Sequence, residues 1–143
     1  MTTGIPEVIV RLVDGPRRLG DYEVYNADEA YRLLANELRD ADRETLIVLC
    51  LDACLRPINY NIVAIGSLRQ LQMPIANVFK VAILSNAAFI ILAHNHPSGD
   101  PEPSDEDIEN TRRVKEIGEI LGIPMLEHIV IGNDGFVSMF IRM

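Results

Sequence analysis

Cysteine is scarce in this sequence of 143 residues, which contains only Cys50 and Cys54. Three residues separate the two, and no second pair of cysteines or histidines follows at the spacing of a zinc finger. This scarcity argues against a disulfide-stabilised fold and against a cysteine-rich metal site. We therefore predict that both cysteines are buried thiols, neither metal ligands nor partners in a disulfide.

Long hydrophobic runs are also missing. No stretch approaches the roughly 20 apolar residues that cross a bilayer. The N-terminal segment MTTGIPEVIV lacks the basic residues and the long apolar centre of a secretory signal. The sequence therefore predicts a cytoplasmic protein with no membrane partner.

Basic residues are outnumbered, with 13 lysines and arginines against 21 aspartates and glutamates, so the formal net charge is −8. Sequence-independent attraction to a phosphate backbone needs a positive surface. The arginine pairs at 17–18 and 112–113 are too short to supply one. The charge balance therefore disfavours nucleic acid as a direct partner.

The pattern of apolar residues predicts strands and helices that alternate within one domain, because a 48% hydrophobic content can build one continuous core. The predicted helices are 26–40, with Asn26 as N-cap, 75–86 and 104–121. The predicted strands are 7–13, 45–52, 57–67, 87–94, 125–132 and 136–141, the last two forming a hairpin around NDG. This order predicts an α/β fold with three layers and a mixed sheet.

The stretch HNHPSGDPEPSDED, residues 94–107, follows an apolar strand and contains two histidines and five carboxylates. Residues i and i+2 of an extended segment project to the same side, so His94 and His96 can offer two imidazoles to one point. The loop then returns Ser104 and Asp107 to the first turn of the next helix. Two histidines and one carboxylate are three ligands, which would leave a fourth tetrahedral position open to water.

Simpler interpretations of the same residues stay open. The His-Asn-His segment can be a solvated loop without a metal. Ser104 and Asp107 have the spacing of a capping box, which would satisfy free amides at the helix start, and taken alone this interpretation is the stronger one. The other acidic residues are typical of a solvated loop and helix start: Asp100, Glu102, Asp105 and Glu106.

The complete pattern, His-x-His followed by seven residues and then Ser-x-x-Asp, is the metal signature of the JAMM metallopeptidases, also called JAB/MPN domains. More narrowly, AAFIILAHNHPSGDPEPSDEDIENT and the later LGIPMLEHIVIG resemble the bacterial RadC family within that superfamily. The resemblance runs from about Asp28 to the C-terminus and includes IGSL and PIANVFKVAILSNAA. It implies a three-layer α-β-α fold with a mixed sheet, of the cytidine-deaminase-like architecture.

The resemblance also implies a ligand set. His94, His96 and Asp107 would bind one Zn²⁺ per chain, and the ion would make hydroxide available near neutral pH. Ser104 would donate a hydrogen bond to the oxyanion of the tetrahedral intermediate. The same ligand types would also accept Fe²⁺, Mn²⁺ or Co²⁺, although ligand type and family likeness favour zinc.

A glutamate upstream of the ligands serves the family as the base that takes a proton from the attacking water and passes it to the leaving amine. Glu44, just before the strand 45–52, matches the place where RadC-like sequences carry it. Without the downstream signature, Glu44 beside Arg43 would be interpreted as a surface carboxylate. Glu37 is the second choice for the base.

The family usually has Asp-His where this chain has Glu127 and His128. A single histidine within an apolar strand is more often a hydrogen-bonded structural residue than a ligand. We therefore predict that His128 supports a ligand or faces the substrate. The change from Asp to Glu puts an orienting role of the preceding acid in doubt.

Fuller RadC proteins carry a helix-hairpin-helix region before this domain, and nothing of that kind fits before residue 25. We therefore expect an N-terminal strand and connection over 1–24 and a RadC-like JAB/MPN domain over 25–143, in a single domain overall. Without the region that would contact DNA, the DNA-repair role implied by the family label receives little support.

The leading hypothesis is a zinc-dependent hydrolase that cleaves peptide or isopeptide bonds in a protein or peptide substrate. The alternatives are a non-catalytic MPN interaction module and a DNA-associated RadC role. A zinc nucleobase deaminase is excluded, because its His-x-Glu and Pro-Cys-x-x-Cys ligands are absent from the sequence. The polar segment 66–74 is predicted to line a cleft, and the sequence carries no signal for an oligomeric state.

Overall fold

The computed structural model describes residues 3–17, 19–20, 23–39, 41–66 and 73–143. In this part of the chain the helices are α1 (Ala27–Leu38), α2 (Ile75–Leu84), α3 (Asp105–Leu121) and α4 (Met139–Arg142). The strands are β1 (Thr45–Leu51), β2 (Pro57–Ile65), β3 (Phe89–Asn95), β4 (Met125–Ile131) and β5 (Phe136–Ser138).

The strands form one mixed sheet in the order β2-β1-β3-β4-β5. Only the β3–β4 pair is parallel among these neighbours, and the other three pairs are antiparallel. One hydrophobic cluster joins the sheet to α1, and a second joins its opposite face to α2 and α3. The predicted α/β fold, with three layers and a mixed sheet, is confirmed.

Strand β1 shows how the sheet separates the two clusters. All seven of its residues are buried, as its unbroken apolar sequence predicts for a strand covered on both faces. Leu46, Val48 and Cys50 face α2 and α3, whereas the residues between them face α1. On β3, Ile90 and Leu92 face α2 and α3 too, so the alternation brings His94 to the side that α3 covers.

Helix α3 begins and ends where its local sequence predicts. Ser104 is the N-cap, with its hydroxyl oxygen accepting a hydrogen bond from the Asp107 amide. Gly122 ends the helix in the left-handed conformation, with φ 75°, which glycine adopts without steric cost. The next strand then starts at Met125, beside the β3 residue Ile90.

A bulge in β4 changes which side chains face α3. Ile90 pairs with Met125, but the next residue of β3 pairs with Glu127, so Leu126 is an extra residue in the ladder. Met125 belongs to the cluster under α2 and α3, whereas Ile129 belongs to the cluster under α1. The bulge therefore turns His128 toward α3.

The predicted strand at residues 7–13 is wrong, because these residues have no regular secondary structure. Val8, Ile9 and Val13 are 75%, 86% and 82% exposed. Their strand preference depends on packing against a neighbouring strand, which the described chain does not provide at these residues. Within 1–24, the described residues 3–17, 19–20 and 23–24 therefore contribute no N-terminal strand to the fold.

The predicted hairpin forms, but its second strand is shorter than the apolar sequence 136–141 implies. Strand β5 ends at Ser138, and the chain then makes the short helix α4. Met139, the first residue of α4, is completely buried. A helical turn allows this burial next to β4, whereas alternate residues of an extended edge strand would face solvent.

The two cysteines differ in environment. Both are free thiols, but only Cys50 is buried, and Cys54 is exposed in the turn between β1 and β2. The prediction of two buried thiols is therefore correct for Cys50 and wrong for Cys54. Burial raises the pKa of the Cys50 thiol to about 12. Among the described residues, no helix is both long and apolar enough to cross a membrane.

Candidate metal centre

Three side chains from two neighbouring elements meet at the end of β3. His94 lies near the end of β3, His96 directly follows the strand, and Asp107 lies in the first turn of α3. The two histidines are 1% and 7% exposed, and Asp107 is 8% exposed. Buried groups of this kind need partners, and these three are partners of one another.

The candidate ligand groups form a small triangle, whose corners are Nε2 of His94, Nε2 of His96 and the carboxylate of Asp107. The Nε2 atoms of His94 and His96 lie 3.3 Å apart. Asp107 points one oxygen at each imidazole, with Oδ2 at 3.2 Å from His96 Nε2 and Oδ1 at 3.5 Å from His94 Nε2. This cluster can hold a metal ion, and the predicted ligand set is thereby brought together in space.

The charges of the cluster favour an ionised carboxylate. Burial raises the pKa of Asp107, but the neighbouring imidazoles of His94 and His96 outweigh that effect and hold the pKa well below its usual range. The hydrogen bond to Asp107 raises the pKa of His96. An anionic oxygen beside two imidazoles is the donor chemistry that a divalent cation needs.

Asp107 also completes the capping box, and this role is compatible with its place among the candidate ligands. Its Oδ2 accepts a 2.9 Å hydrogen bond from the backbone amide of Ser104, and its own amide donates to the Ser104 hydroxyl at 3.1 Å. These bonds fix the carboxylate at the helix start. The cap therefore positions the third candidate ligand.

The ring of His96 is held by the backbone of the following loop. Its Nδ1 lies 3.0 Å from the carbonyl oxygen of Asp100, to which it donates. The turn that presents this carbonyl is closed by the amide of Gly99, which donates to the His96 carbonyl. Because a carbonyl can only accept, Nδ1 of His96 carries a proton, and the neutral ring therefore has its lone pair on Nε2, toward the triangle.

The ring of His94 is held by side chains. Its Nδ1 lies 2.7 Å from Nε2 of His128, and Nδ1 of His128 lies 2.7 Å from the hydroxyl of Thr111 on α3. Burial lowers the pKa of His128 well below its usual value. The structure thus places His128 behind a ligand, outside the triangle of ligand atoms.

Thr111 was missed by the sequence interpretation, although a signal was available. It lies four residues after Asp107, so the two share one face of α3. A completely buried threonine on that face needs a hydrogen-bond partner. Its partners are the Asp107 carbonyl and His128.

Glu44 lies one residue before β1, at the same end of the sheet as the triangle. Leu46 pairs with His94 in the antiparallel ladder, so Glu44 lies at the level of His96 and on the same face. The charge of Glu44 makes a small contribution to the raised pKa of His96, whose largest cause is the hydrogen bond to Asp107. Glu37 belongs to α1, which covers the opposite face of the sheet.

Asn95, between the two histidines, holds the chain on both sides of Glu44. Its side-chain oxygen accepts from the amide of Thr45 at 2.7 Å, and its side-chain amide donates to the carbonyl of Arg43 at 2.9 Å. Asn95 is 2% exposed. The sequence interpretation also missed this residue, and its only signal was a polar side chain at the end of a buried strand.

The acidic loop and helix start are mostly solvated, as predicted. Asp105 and Glu106 are exposed, and Glu102 pairs with Arg142 of α4 through two hydrogen bonds of 2.9 and 3.1 Å. The segment 66–74, predicted to line a cleft, lies largely outside the described residues, which omit 67–72.

Comparison with known proteins identifies the family. The model of the RadC-like JAB domain matches residues 24–142. The chain belongs to this family. The resemblance predicted from the residues 94–107 and from LGIPMLEHIVIG is therefore confirmed.

Curated relatives of this RadC-like chain carry the name UPF0758 protein. The one from Roseiflexus castenholzii is 45% identical over 118 residues, which are 82% of this chain and 51% of the relative. The one from Pelobacter propionicus is 46% identical over 127 residues, 89% of this chain and 51% of the relative. The one from Methanosarcina barkeri is 39% identical over 127 residues, 89% of this chain and 54% of the relative. The chain therefore spans about half the length of these relatives.

The RadC-like Asp-His pair is Glu-His here, and the structure shows where the longer acid goes. Glu127 accepts from the amide of His128 at 2.8 Å and from the hydroxyl of Ser138 at 2.9 Å. Burial raises the pKa of Glu127. Its carboxylate thus stabilises the β4–β5 pairing, while the His128 ring makes its contacts to His94 and Thr111.

Proposed function

We propose that this RadC-like domain is a zinc-dependent hydrolase that cleaves peptide or isopeptide bonds. The observation that carries the proposal is the cluster of candidate ligand atoms, in which one atom from each of His94, His96 and Asp107 lies within 4.8 Å of the others. Two imidazoles and a carboxylate form a ligand set that catalytic zinc sites use.

The number of protein ligands supports a catalytic rather than a structural ion. Structural zinc sites use four protein ligands, whereas catalytic sites use three and keep one position open. Within the described residues, the candidate cluster consists of His94, His96 and Asp107 alone. When bound, zinc lowers the pKa of a coordinated water from about 15.7 toward 7 and polarises a substrate carbonyl.

Glu44 is the residue that we propose as general base. It shares the sheet face and the level of His96, which its charge influences. A carboxylate in this position can take a proton from the attacking water and hold it until the leaving amine needs it. The opposite placement of Glu37, on α1, leaves Glu44 as the better candidate.

Ser104 can stabilise the oxyanion while it caps the helix. The hydrogen bond from the Asp107 amide uses a lone pair of the hydroxyl and leaves the O–H able to donate. An O–H donor beside a developing oxyanion lowers the barrier to acyl transfer. Its position is fixed by the same capping box that fixes the third ligand.

A protein or peptide substrate agrees with the charge of the chain. The net charge of −8 opposes the approach of a nucleic acid, whose phosphates carry the same sign. Binding of DNA that disappears near physiological salt concentration would support this choice of substrate. DNA binding that persists there would favour the DNA-associated alternative.

Metal content is the first test. We expect about one zinc per chain, by elemental analysis, in protein purified without chelators and without a histidine tag. The double variant His94→Ala, Asp107→Ala should contain almost none, with its fold checked by circular dichroism. Failure of the folded native protein to retain zinc after zinc is supplied would overturn the proposal.

Hydrolysis is the second test, with a library of peptides and isopeptides as substrates. Glu44→Gln should keep its zinc and lose at least about a hundredfold in rate. Glu37→Gln is the matched control, because the same change is made on the opposite side of the sheet, and it should keep its rate. Zinc-loaded native protein that cleaves no member of the library, just like Glu44→Gln, would favour a non-catalytic interaction module.

A further inference from the structure

A buried chain of hydrogen bonds lies behind His94, on the side of the ring away from Nε2. His94 Nδ1 contacts His128 Nε2 at 2.7 Å, and His128 Nδ1 contacts the hydroxyl of Thr111 at 2.7 Å. The same hydroxyl lies 2.7 Å from the carbonyl oxygen of Asp107. His128 and Thr111 are both 0% exposed, so solvent does not compete for these bonds.

The proton positions in this series of hydrogen bonds follow from its last acceptor, the carbonyl oxygen of Asp107. A carbonyl oxygen only accepts and a hydroxyl has one proton, so Thr111 donates to the Asp107 carbonyl. The hydroxyl must then accept from His128, which places a proton on Nδ1 of that ring. In the neutral ring of His128 the other nitrogen, Nε2, then carries the lone pair, and this atom faces Nδ1 of His94.

The protonation of His128 determines the tautomer of His94. With a lone pair on His128 Nε2, the proton of His94 lies on its Nδ1 and is donated backward. The lone pair of His94 is then on Nε2, the atom that faces His96 and Asp107. The opposite tautomer would point an N–H into the triangle, where a metal needs a lone pair.

We propose that Thr111 and His128 are positioning residues that fix the tautomer and ring orientation of His94 for metal binding. The inference rests on the metal centre of the proposed function, but not on hydrolysis. It assigns to His128 a partner, Thr111, and a direction of proton donation.

His94 and His96 are oriented by different means, which makes the inference testable. His96 donates to a backbone carbonyl, that of Asp100, which a side-chain substitution does not remove. His94 depends on the hydroxyl of Thr111, which one substitution does remove. Thr111→Val keeps the branched shape without the hydroxyl, and Thr111→Ser keeps the hydroxyl without the methyl group.

The first measurement is the ¹⁵N NMR spectrum of the imidazoles in metal-free protein. We expect the His94 proton on Nδ1 in the native protein and in Thr111→Ser. In Thr111→Val, Nδ1 of His128 loses its acceptor, so the proton of His128 can move to its own Nε2. His94 Nδ1 would then have to accept, and the proton of His94 would lie on its Nε2. The native spectrum alone tests the proton direction, even where the valine variant does not fold.

The second measurement is zinc affinity by competition with a chelator, on variants that circular dichroism shows to be folded. Thr111→Val should bind zinc about 10–100-fold more weakly than the native protein, and Thr111→Ser should restore the affinity. With cobalt in place of zinc, the absorption spectrum should change in the valine variant and match the native protein in the serine variant.

Three outcomes would overturn the inference: a proton on Nε2 of His94 in native metal-free protein, unchanged zinc affinity in Thr111→Val, or equal losses in the valine and serine variants. The last would mean that Thr111 acts only through packing. Native protein with the proton on His94 Nδ1 that binds no zinc would support the proton direction and overturn the hydrolase proposal instead.

Discussion

The side-chain oxygen of Asn95 accepts a 2.7 Å hydrogen bond from the backbone amide of Thr45. The amide group of the same side chain donates to the carbonyl of Arg43 at 2.9 Å. Asn95, which lies between two candidate ligands, thus holds both neighbours of Glu44. Its side chain therefore adds to the β1–β3 pairing in placing the proposed base beside the proposed ligands.

Asn95→Ala should reduce hydrolysis more than metal binding. The variant leaves the Thr45 amide and the Arg43 carbonyl without this partner, so Glu44 is less well fixed. Misplacement of a catalytic group by about 1 Å costs about a hundredfold in rate, and we expect a loss of about ten- to a hundredfold in kcat with zinc content near that of the native protein. Asn61→Ala, an exposed position on β2, should leave the rate unchanged. A parallel loss of zinc would show that Asn95 supports the histidines instead.

Asp107→Asn separates the two roles of this residue. The amide oxygen can still accept from the Ser104 amide, so the cap of α3 should survive. Removal of the negative charge should abolish most zinc binding, because the remaining ligands are neutral. Asp105→Asn, an exposed neighbour in the same helical turn, should bind zinc normally.

Thermal unfolding with and without zinc provides the readout for the Asp107 variant. A ligand present at a hundred times its Kd stabilises a folded protein by about 2.7 kcal/mol. In a domain of this size that corresponds to an increase in Tm of roughly 10 °C. We expect the increase in the native protein and in Asp105→Asn. An equal increase in Asp107→Asn would contradict the assignment of the third ligand.

Gly132→Ala should weaken zinc binding although Gly132 is not a candidate ligand, because the added methyl group would displace the loop that holds His96. A Cβ at Gly132 would meet the Gly99 carbonyl and would lie 2.8 Å from Cδ of Pro101. The same loop carries the Asp100 carbonyl that holds His96. The strain should cost about 1–3 kcal/mol of folding free energy, measured by denaturant unfolding, and should lower zinc affinity.

The matched control for this substitution is in the same turn. A Cβ at Gly135 would meet no atom within 4 Å. Gly135→Ala should therefore keep the stability and the zinc affinity of the native protein. Equal behaviour of the two alanine variants would contradict the close approach of the β4–β5 turn to the loop after His96.

The two cysteines should react with thiol reagents at very different rates. Cys54 is exposed, whereas Cys50 is buried and its pKa is raised to about 12. A raised thiol pKa keeps Cys50 protonated at pH 8, and the thiolate is the reactive form. We expect one thiol per folded chain to react at pH 8 and both to react in denaturant. Cys54→Ser should abolish the reaction of the folded protein.

Much of the fold could be predicted because the relevant signals are local. The nearly unbroken apolar segment 45–52 predicts a strand covered on both faces, and β1 is buried throughout. Ser104 and Gly122 have the chemistry of helix caps, and α3 lies between them. The apolar segment 7–13 misled the prediction because strand formation depends on a partner elsewhere in the chain.

The sequence by itself determined the ligand types and their spacing. His-x-His at the end of a buried strand puts two imidazoles on one side, and a helix cap fixes where a carboxylate can stand. These are properties of short segments, so they are fixed by neighbouring residues alone. Together with the resemblance to the RadC family, they allowed His94, His96 and Asp107 to be named in advance as candidate ligands.

The tertiary structure decided which residues support those candidate ligands. The extra residue Leu126 in β4 turns His128 toward α3, where Thr111 meets it. Asn95 reaches the chain around Glu44 only because β1 and β3 are paired. Each of these contacts joins residues that are distant in the sequence, and the register between strands, which local patterns leave open, determines which of them meet.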